Sequence, residues 1–224
     1  MKKKTALILG ATGLVGKALL QQLLDSDDYA VKVLARRSSG ISHPNLEEHL
    51  VDFDRLPEWA RLIQGEVLFI AMGTTRRKAG SKEAQYKVDY TYPYEVAKKA
   101  ASAGFKHCVL VSSIGANARS RLFYLRIKGE LEEALKGLHF PRLTILRPSL
   151  LTGEREERRW MEELAAVWMP GLIRIFPGLS SRRPIPGSVV ARAMRKAVEG
   201  KDTDAFKVFE GAEIFHLAGD AGEK

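Results

Sequence analysis

The sequence predicts an α/β fold, a doubly wound parallel sheet with a small C-terminal cap. Three observations carry that expectation. Short apolar runs alternate with helical periodicities from the first residues to about residue 150. The first run stops abruptly in a glycine turn, GATGLVG at 10–16, that leads into a helical pattern. The 224 residues, 45% of them hydrophobic, are enough for one such domain with a sizeable core. Strands separated by helices make parallel βαβ units. Right-handed crossovers then place the first and fourth strands side by side, with a ligand crevice at the carboxyl ends of the strands.

Taken in order, the spacing predicts strands at 5–9, 30–35, 49–52, 67–72, 108–112 and 143–147. Helices are expected at 14–24, 57–63, 82–103 and 122–136, the last two closed by Gly104 and Gly137. From about residue 152 the rhythm breaks. An amphipathic helix at 154–168 is followed by a Gly/Pro-rich stretch to 187, a helix at 188–199 and apolar runs at 206–209 and 214–217. The whole chain, 1–224, reads as one domain, with 152–187 as a substrate or partner cap folded over the crevice.

Composition narrows the function classes. No stretch of about 18 apolar residues is present, so no transmembrane helix is expected. The three lysines and apolar run at the start resemble a signal peptide, but glycines and Thr12 interrupt the run and no small-x-small cleavage site follows. The single cysteine, Cys108, excludes an internal disulfide and sits in an apolar strand pattern, so it reads as core; a reducing, cytoplasmic setting fits. The five histidines show no metal-ligand spacing, and no metal is expected. The net charge of +9 points to anionic ligands. Basic residues cluster at 36–37, 76–78, 155–159 and 182–183, but no zinc-finger or helix-turn-helix pattern accompanies them. A phosphorylated cofactor explains them with fewer assumptions than nucleic acid does.

The chemistry begins at the glycine turn. A strand, a glycine turn and a helix place the helix N-terminus against a pyrophosphate. Gly10 serves the tight turn, Gly13 the close approach of phosphate and Gly16 tight packing of the helix, with Ala11, Thr12, Leu14 and Val15 completing the turn. The spacing is GxxGxxG, and glycines alone also suit a purely conformational turn. Arg36 and Arg37 end the second strand, where an acid would bind the ribose hydroxyl of NAD and an arginine suits the 2′-phosphate of NADP. Asp52, ending the third strand, is placed to reach the adenine. Met72, Gly73 and Thr74, after the fourth strand, would lie along the cofactor. The fifth strand ends in Ser112-Ser113, and Tyr124 and Lys128 follow at i and i+4 on a helix. A lysine there lowers the phenol's pKa, so the tyrosine can exchange a proton with a carbonyl or alcohol oxygen. A serine hydroxyl can steady the same oxygen. By itself, Tyr124 also suits a packed helix tyrosine.

Together these residues resemble the short-chain dehydrogenase/reductase superfamily: Gly10, Gly13 and Gly16, then Val111-Ser112-Ser113, Tyr124-x-x-x-Lys128, and Arg147-Pro148 with Gly153. Within it the chain is similar to the atypical, Tat-interacting-protein branch. The matching stretches are GTTRRKAG at 73–80, SSIGA at 112–116, FYLRIKGE at 123–130, and PIP at 184–186 followed by Ala193-Met194. The resemblance implies an NAD(P)-binding Rossmann domain carrying NADP, with Tyr124 as the acid/base, Lys128 also holding the nicotinamide ribose, and Ser113 or Ser112 as the serine. It also implies that the backbone at Arg147, Pro148 and Leu150 faces the carboxamide. Superfamily members often carry an asparagine where this chain has Asp89, a departure that bears on the proton relay.

The expected function is therefore NADP-dependent oxidation or reduction of a small carbonyl or alcohol. A cofactor-sensing regulatory or scaffold protein with a protein partner is the alternative. Nucleotide-sugar epimerase chemistry is a third reading, for which the chain is short. None of the three readings requires nucleic acid, and a homodimer through a helix pair suits the fold.

Overall fold

A computed structural model describes residues 3–152, 184–200 and 204–220. The expected cap helix and the Gly/Pro-rich stretch, with Gly153 and the basic clusters at 155–159 and 182–183, lie outside the described residues.

Seven parallel strands form one sheet: β1 (Lys4–Leu9), β2 (Tyr29–Ala35), β3 (Leu46–Leu50), β4 (Val67–Ile70), β5 (His107–Val111), β6 (Arg142–Arg147) and β9 (Phe206–Glu210). Their order is β3-β2-β1-β4-β5-β6-β9, with β1 beside β4 as expected. Both faces are covered, so the central strands are apolar throughout instead of alternating. On β1, Ala6 and Ile8 face one core, packed by α1 (Leu14–Asp25), α7 (Gly187–Glu199) and α8 (Ala212–Ala218). Leu7 and Leu9 face the other, where Val96, Ala97 and Ala100 of α5 (Tyr92–Ser102) meet Leu131 and Leu135 of α6 (Phe123–Lys136). Cys108 is buried in that second core, where burial pushes its thiol far above the ordinary range. A two-residue parallel pair, β7 (Leu151–Thr152) with β8 (Ile185–Pro186), joins the two sides of the undescribed segment.

Two expectations are corrected. The third strand runs three residues earlier than the pattern suggests, pairing Val31 with Leu46 through Ala35 with Leu50. It is an edge strand rich in charge, so the apolar pattern did not mark its first residues; Glu47 instead meets Lys32 at 3.4 Å and His49 at 2.6 Å. Asp52 consequently lies beyond the strand, where its carboxylate accepts the Asp54 N–H and caps a short 3₁₀ turn. The expected helix at 57–63 is a run of short helical turns, among them α2 (Leu56–Trp59).

The long helix expected at 82–103 is continuous but not uniform. α4 (Lys82–Tyr86) passes into a π-helical turn at Lys87–Thr91 before α5 begins. A further short helix, α3 (Arg76–Ala79), precedes it. π-Turns insert one residue and swing a side chain out of helical register. Here the turn carries Asp89, fully buried, toward the carboxyl end of β4.

Candidate functional site

The glycine turn is built from backbone. β1 leaves through Gly10 at φ +87°, and a Cβ there would stand 2.6 Å from the Ala71 carbonyl. Only glycine lets the exits of β1 and β4 lie this close. Gly13 is the exposed N-cap of α1 and has no side-chain cap; its N–H returns to the Gly10 carbonyl at 3.0 Å. The first turn of α1 is thus an uncapped helix N-terminus, the backbone arrangement that suits a phosphate. Gly16 packs on the turn itself, since a Cβ would lie 2.0 Å from the Gly10 oxygen. Ala11 and Val15 are buried, and Leu14 abuts Gly187 of α7, where a Cβ would approach to 2.5 Å. These observations fit a dinucleotide held by the backbone N–H groups of the first turn of α1.

Arg36 and Arg37 are exposed just past the end of β2, on the same edge of the sheet. Asp52 is also exposed there. Met72, Gly73 and Thr74 follow β4, with Gly73 exposed at the crevice floor.

Beneath Gly73 four sequence-chosen groups converge. Lys128 Nζ lies 2.9 Å from Asp89 Oδ1, both side chains buried. Asp89 Oδ2 accepts the Thr74 N–H at 3.0 Å, tying the π-turn to the β4 exit. A Cβ on Gly73 would come within 3.3 Å of Asp89 and 3.5 Å of Lys128. Lys128 Nζ stands 5.8 Å from the centre of the Tyr124 ring, and the Ser113 hydroxyl is hydrogen-bonded with the Tyr124 phenol. Tyr124 is half-buried.

The electrostatics differ from the expectation of a phenol held low by lysine. Burial pushes the Tyr124 phenol up from its ordinary value; the Lys128 charge pulls it down, but the Asp89 charge pushes it up again. Burial opposes the Lys128 ammonium, yet Asp89 and Tyr124 hold its pKa above the usual lysine range. Burial raises the Asp89 carboxyl, against the pull of Lys128.

Ser112 belongs to a different cluster. Its hydroxyl donates to Glu132 Oε1 at 2.5 Å. Arg147 grips the same carboxylate, Nε to Oε1 at 3.0 Å and Nη2 to Oε2 at 2.6 Å, and reaches Glu210 at 3.5 Å. The carbonyls of Pro148 and Leu150 accept the N–H groups of Ile114 and Ile185, at 3.0 and 2.8 Å. Sequence reasoning missed Glu132 and Gln85. Glu132 continues the i, i+4 row of Tyr124 and Lys128, so the spacing carried the signal. Buried Gln85 donates a long 3.4 Å bond to the Thr74 carbonyl, from the helix that carries Asp89.

A parallel sheet of this order, with a glycine turn at its first helix, defines an NAD(P)-binding Rossmann domain. The chain belongs to the NAD(P)H-binding family, whose model matches residues 10–164, and within it to the atypical short-chain dehydrogenase/reductase group that includes the Tat-interacting-protein branch. It is 35% identical over 226 residues to "Protein HTATIP2" of Rattus norvegicus, covering 99% of this chain and 92% of that one. It is 36% identical over 223 residues to "Protein FMP52-1, mitochondrial" of Scheffersomyces stipitis, covering 95% and 98%. Among solved structures, the fold is similar to a UDP-glucose 4-epimerase of Thermotoga maritima with UDP-glucose, at a TM-score of 0.69 and 17% identity, covering 98% of this chain and 84% of that one. MoeE5 in complex with UDP-glucose and NAD is equally similar, at 0.69 and 16%, covering 96% and 81%.

Proposed function

We propose that this protein is an NADP-dependent oxidoreductase of the short-chain dehydrogenase/reductase type, acting on a small carbonyl or alcohol. The observation that carries the reading is the meeting of Tyr124, Ser113 and Lys128 at the carboxyl end of the sheet, on the side to which the glycine turn opens. The turn at 10–16 holds the pyrophosphate, Arg36 and Arg37 the 2′-phosphate, and Lys128 the nicotinamide ribose. Bound there, the reduced cofactor supplies a hydride for a carbonyl carbon. Tyr124 handles the proton at the substrate oxygen, and Ser113 hydrogen-bonds that oxygen as charge develops on it. Ser112, occupied by Glu132, is assigned to the scaffold.

The second reading is an NADP(H)-binding regulatory protein with little turnover, which presents the cap to a protein partner. The pairing of Lys128 with Asp89 favours it, because that pairing leaves the phenol less acidic. The cytoplasm is the proposed location, on the free, buried Cys108; no described helix is long and apolar enough to cross a membrane. The fungal relative named above carries "mitochondrial" in its name, so fractionation of cells decides between the two compartments.

Cofactor titration followed by turnover tests the proposal. NADPH fluorescence should respond to the protein at lower concentration than NADH does, by about 10-fold or more, and Arg36→Ala should remove the preference. A panel of carbonyls should show NADPH oxidation that Tyr124→Phe cuts by about 10²–10⁴. Equal affinity for the two cofactors rejects the role of Arg36. NADPH binding without turnover on any carbonyl selects the regulatory reading.

A further inference from the structure

We infer that Asp89 is a positioning residue of this site: by a direct, buried ion pair it holds Lys128 as an ammonium and opposes that charge at Tyr124, so that Tyr124 enters the reaction as the protonated phenol and the site is set for carbonyl reduction. The consequence for reaction direction rests on the oxidoreductase reading; the ion pair and its effect on the charge of Lys128 do not.

The geometry is specific. Asp89 Oδ1 is 2.9 Å from Lys128 Nζ, whereas the Tyr124 ring centre is 5.8 Å from the same nitrogen. The carboxylate is in direct contact with the ammonium, so the phenol sees an ion pair and not a bare cation, and the field of such a dipole falls faster with distance. The π-turn is what delivers it. It inserts a residue just where Asp89 must leave the helical register, and the Thr74 N–H then fixes the second carboxylate oxygen at 3.0 Å. An asparagine in that place could accept the same N–H but would leave Lys128 without a counter-charge. Among the described residues, the other groups facing the pair are few. Ser113 bonds the phenol from the loop after β5, and Glu132 faces Lys128 from one turn along α6 but is itself clasped by Arg147 of β6. Gly73 covers the pair without adding charge.

In the reductive step the Tyr124 O–H bond breaks and its proton goes to the carbonyl oxygen; the two electrons and the carbon-bound hydrogen are what the reduced nicotinamide brings. The phenolate left behind regains its proton from solvent. A phenol that stays protonated at neutral pH is competent for this direction and must first lose its proton to serve the reverse one.

The test is the protonation state of Lys128, followed by carbon-13 NMR of lysine Cε in the cofactor-free protein, with the resonance assigned by its loss in Lys128→Arg. The wild-type side chain should hold its proton to higher pH than an ordinary lysine does, and in Asp89→Asn it should lose its proton more than about one pH unit earlier than in the wild type. The basic limb of the NADPH-dependent reduction profile should move to lower pH in the same variant. A neutral Lys128 at pH 8 in the wild type, or identical titration in the two proteins, overturns the inference. If Asp89→Asn does not fold, the wild-type titration decides alone. If no carbonyl is reduced, the oxidoreductase reading fails while the titration still judges the ion pair.

Discussion

Two buried carboxylates stand at the same edge of the sheet, each with a basic partner, and they do opposite work. Glu132 is held on both oxygens by the planar fork of Arg147, receives the Ser112 hydroxyl, and so ties α6 to β5 and β6. Arg147 keeps a quarter of its side chain in solvent and has a second carboxylate, Glu210, at 3.5 Å. Asp89 divides its oxygens between a backbone N–H and Lys128, and that lysine side chain is only 5% exposed. Arginine is charged whatever surrounds it, while lysine can shed its proton when its environment turns hostile. One pair is a clasp between elements. The other is a charge setting placed against a tyrosine.

The largest test of that difference is the loss of one partner. Asp89→Asn leaves the Lys128 ammonium buried without a counter-charge, which costs about 3–5 kcal/mol of stability at neutral pH. In that variant the folded-state pKa of Lys128 falls below its unfolded value, so the unfolded chain binds more protons between the two and stability rises with pH. Urea unfolding at pH 7 and at pH 9.5 should show the deficit shrinking at the higher pH. A deficit independent of pH would mean that Lys128 was never the charged partner.

Glu132→Gln removes the clasp instead, and the effect is expected to be smaller, about 1.5–3 kcal/mol, the loss of hydrogen bonds to a charged group. Arg147 retains Glu210 and water, so no bare buried charge is created. Because arginine does not deprotonate, this deficit should be the same at pH 7 and pH 9.5. NADPH affinity of the folded protein should stay within about two-fold of wild type, an outcome read by fluorescence titration; a larger loss would place Glu132 in the cofactor site and dissolve the contrast between the two carboxylates.

The sheet order, the glycine turn and the helix carrying Tyr124 and Lys128 were legible because each rests on local periodicity and residue type. The tight turn at Gly10 and the close packing at Gly16 follow the expected strand–turn–helix pattern, and the i, i+4 relation of Tyr124 to Lys128 survives folding unchanged. What was not legible depends on partners far along the chain. Asp89 faces Lys128 across 39 positions, and no pattern announces the π-turn that rotates it inward. Two adjacent serines, Ser112 and Ser113, look alike in sequence; alternation at the end of β5 sends one toward Glu132 and the other toward Tyr124. The start of the charged edge strand β3 was misplaced because Glu47 and Glu48 break the apolar pattern, while pairing with β2 makes them strand regardless.

His107 supplies the control for both carboxylates: a titratable group buried at the opposite end of the sheet, bonded to a neutral partner. Its Nε2 lies 2.9 Å from the Thr144 hydroxyl, and burial, with the nearby Arg142 charge, lowers its pKa from 6.5 to about 4. With no counter-charge among the described residues to receive it, a proton binds the unfolded chain more readily than the folded one between those values. Stability present above pH 6.5 is therefore lost as pH falls through this window toward 4, by about 2 kcal/mol at pH 5. His107→Gln keeps a polar group against Thr144 and removes the titration. The drop in unfolding free energy between pH 7 and pH 5 should then shrink by about that amount relative to wild type. An unchanged drop would show that His107 is charged in the folded protein and has a counter-ion, which would make it a third paired site and not the neutral reference against which Asp89 and Glu132 are compared.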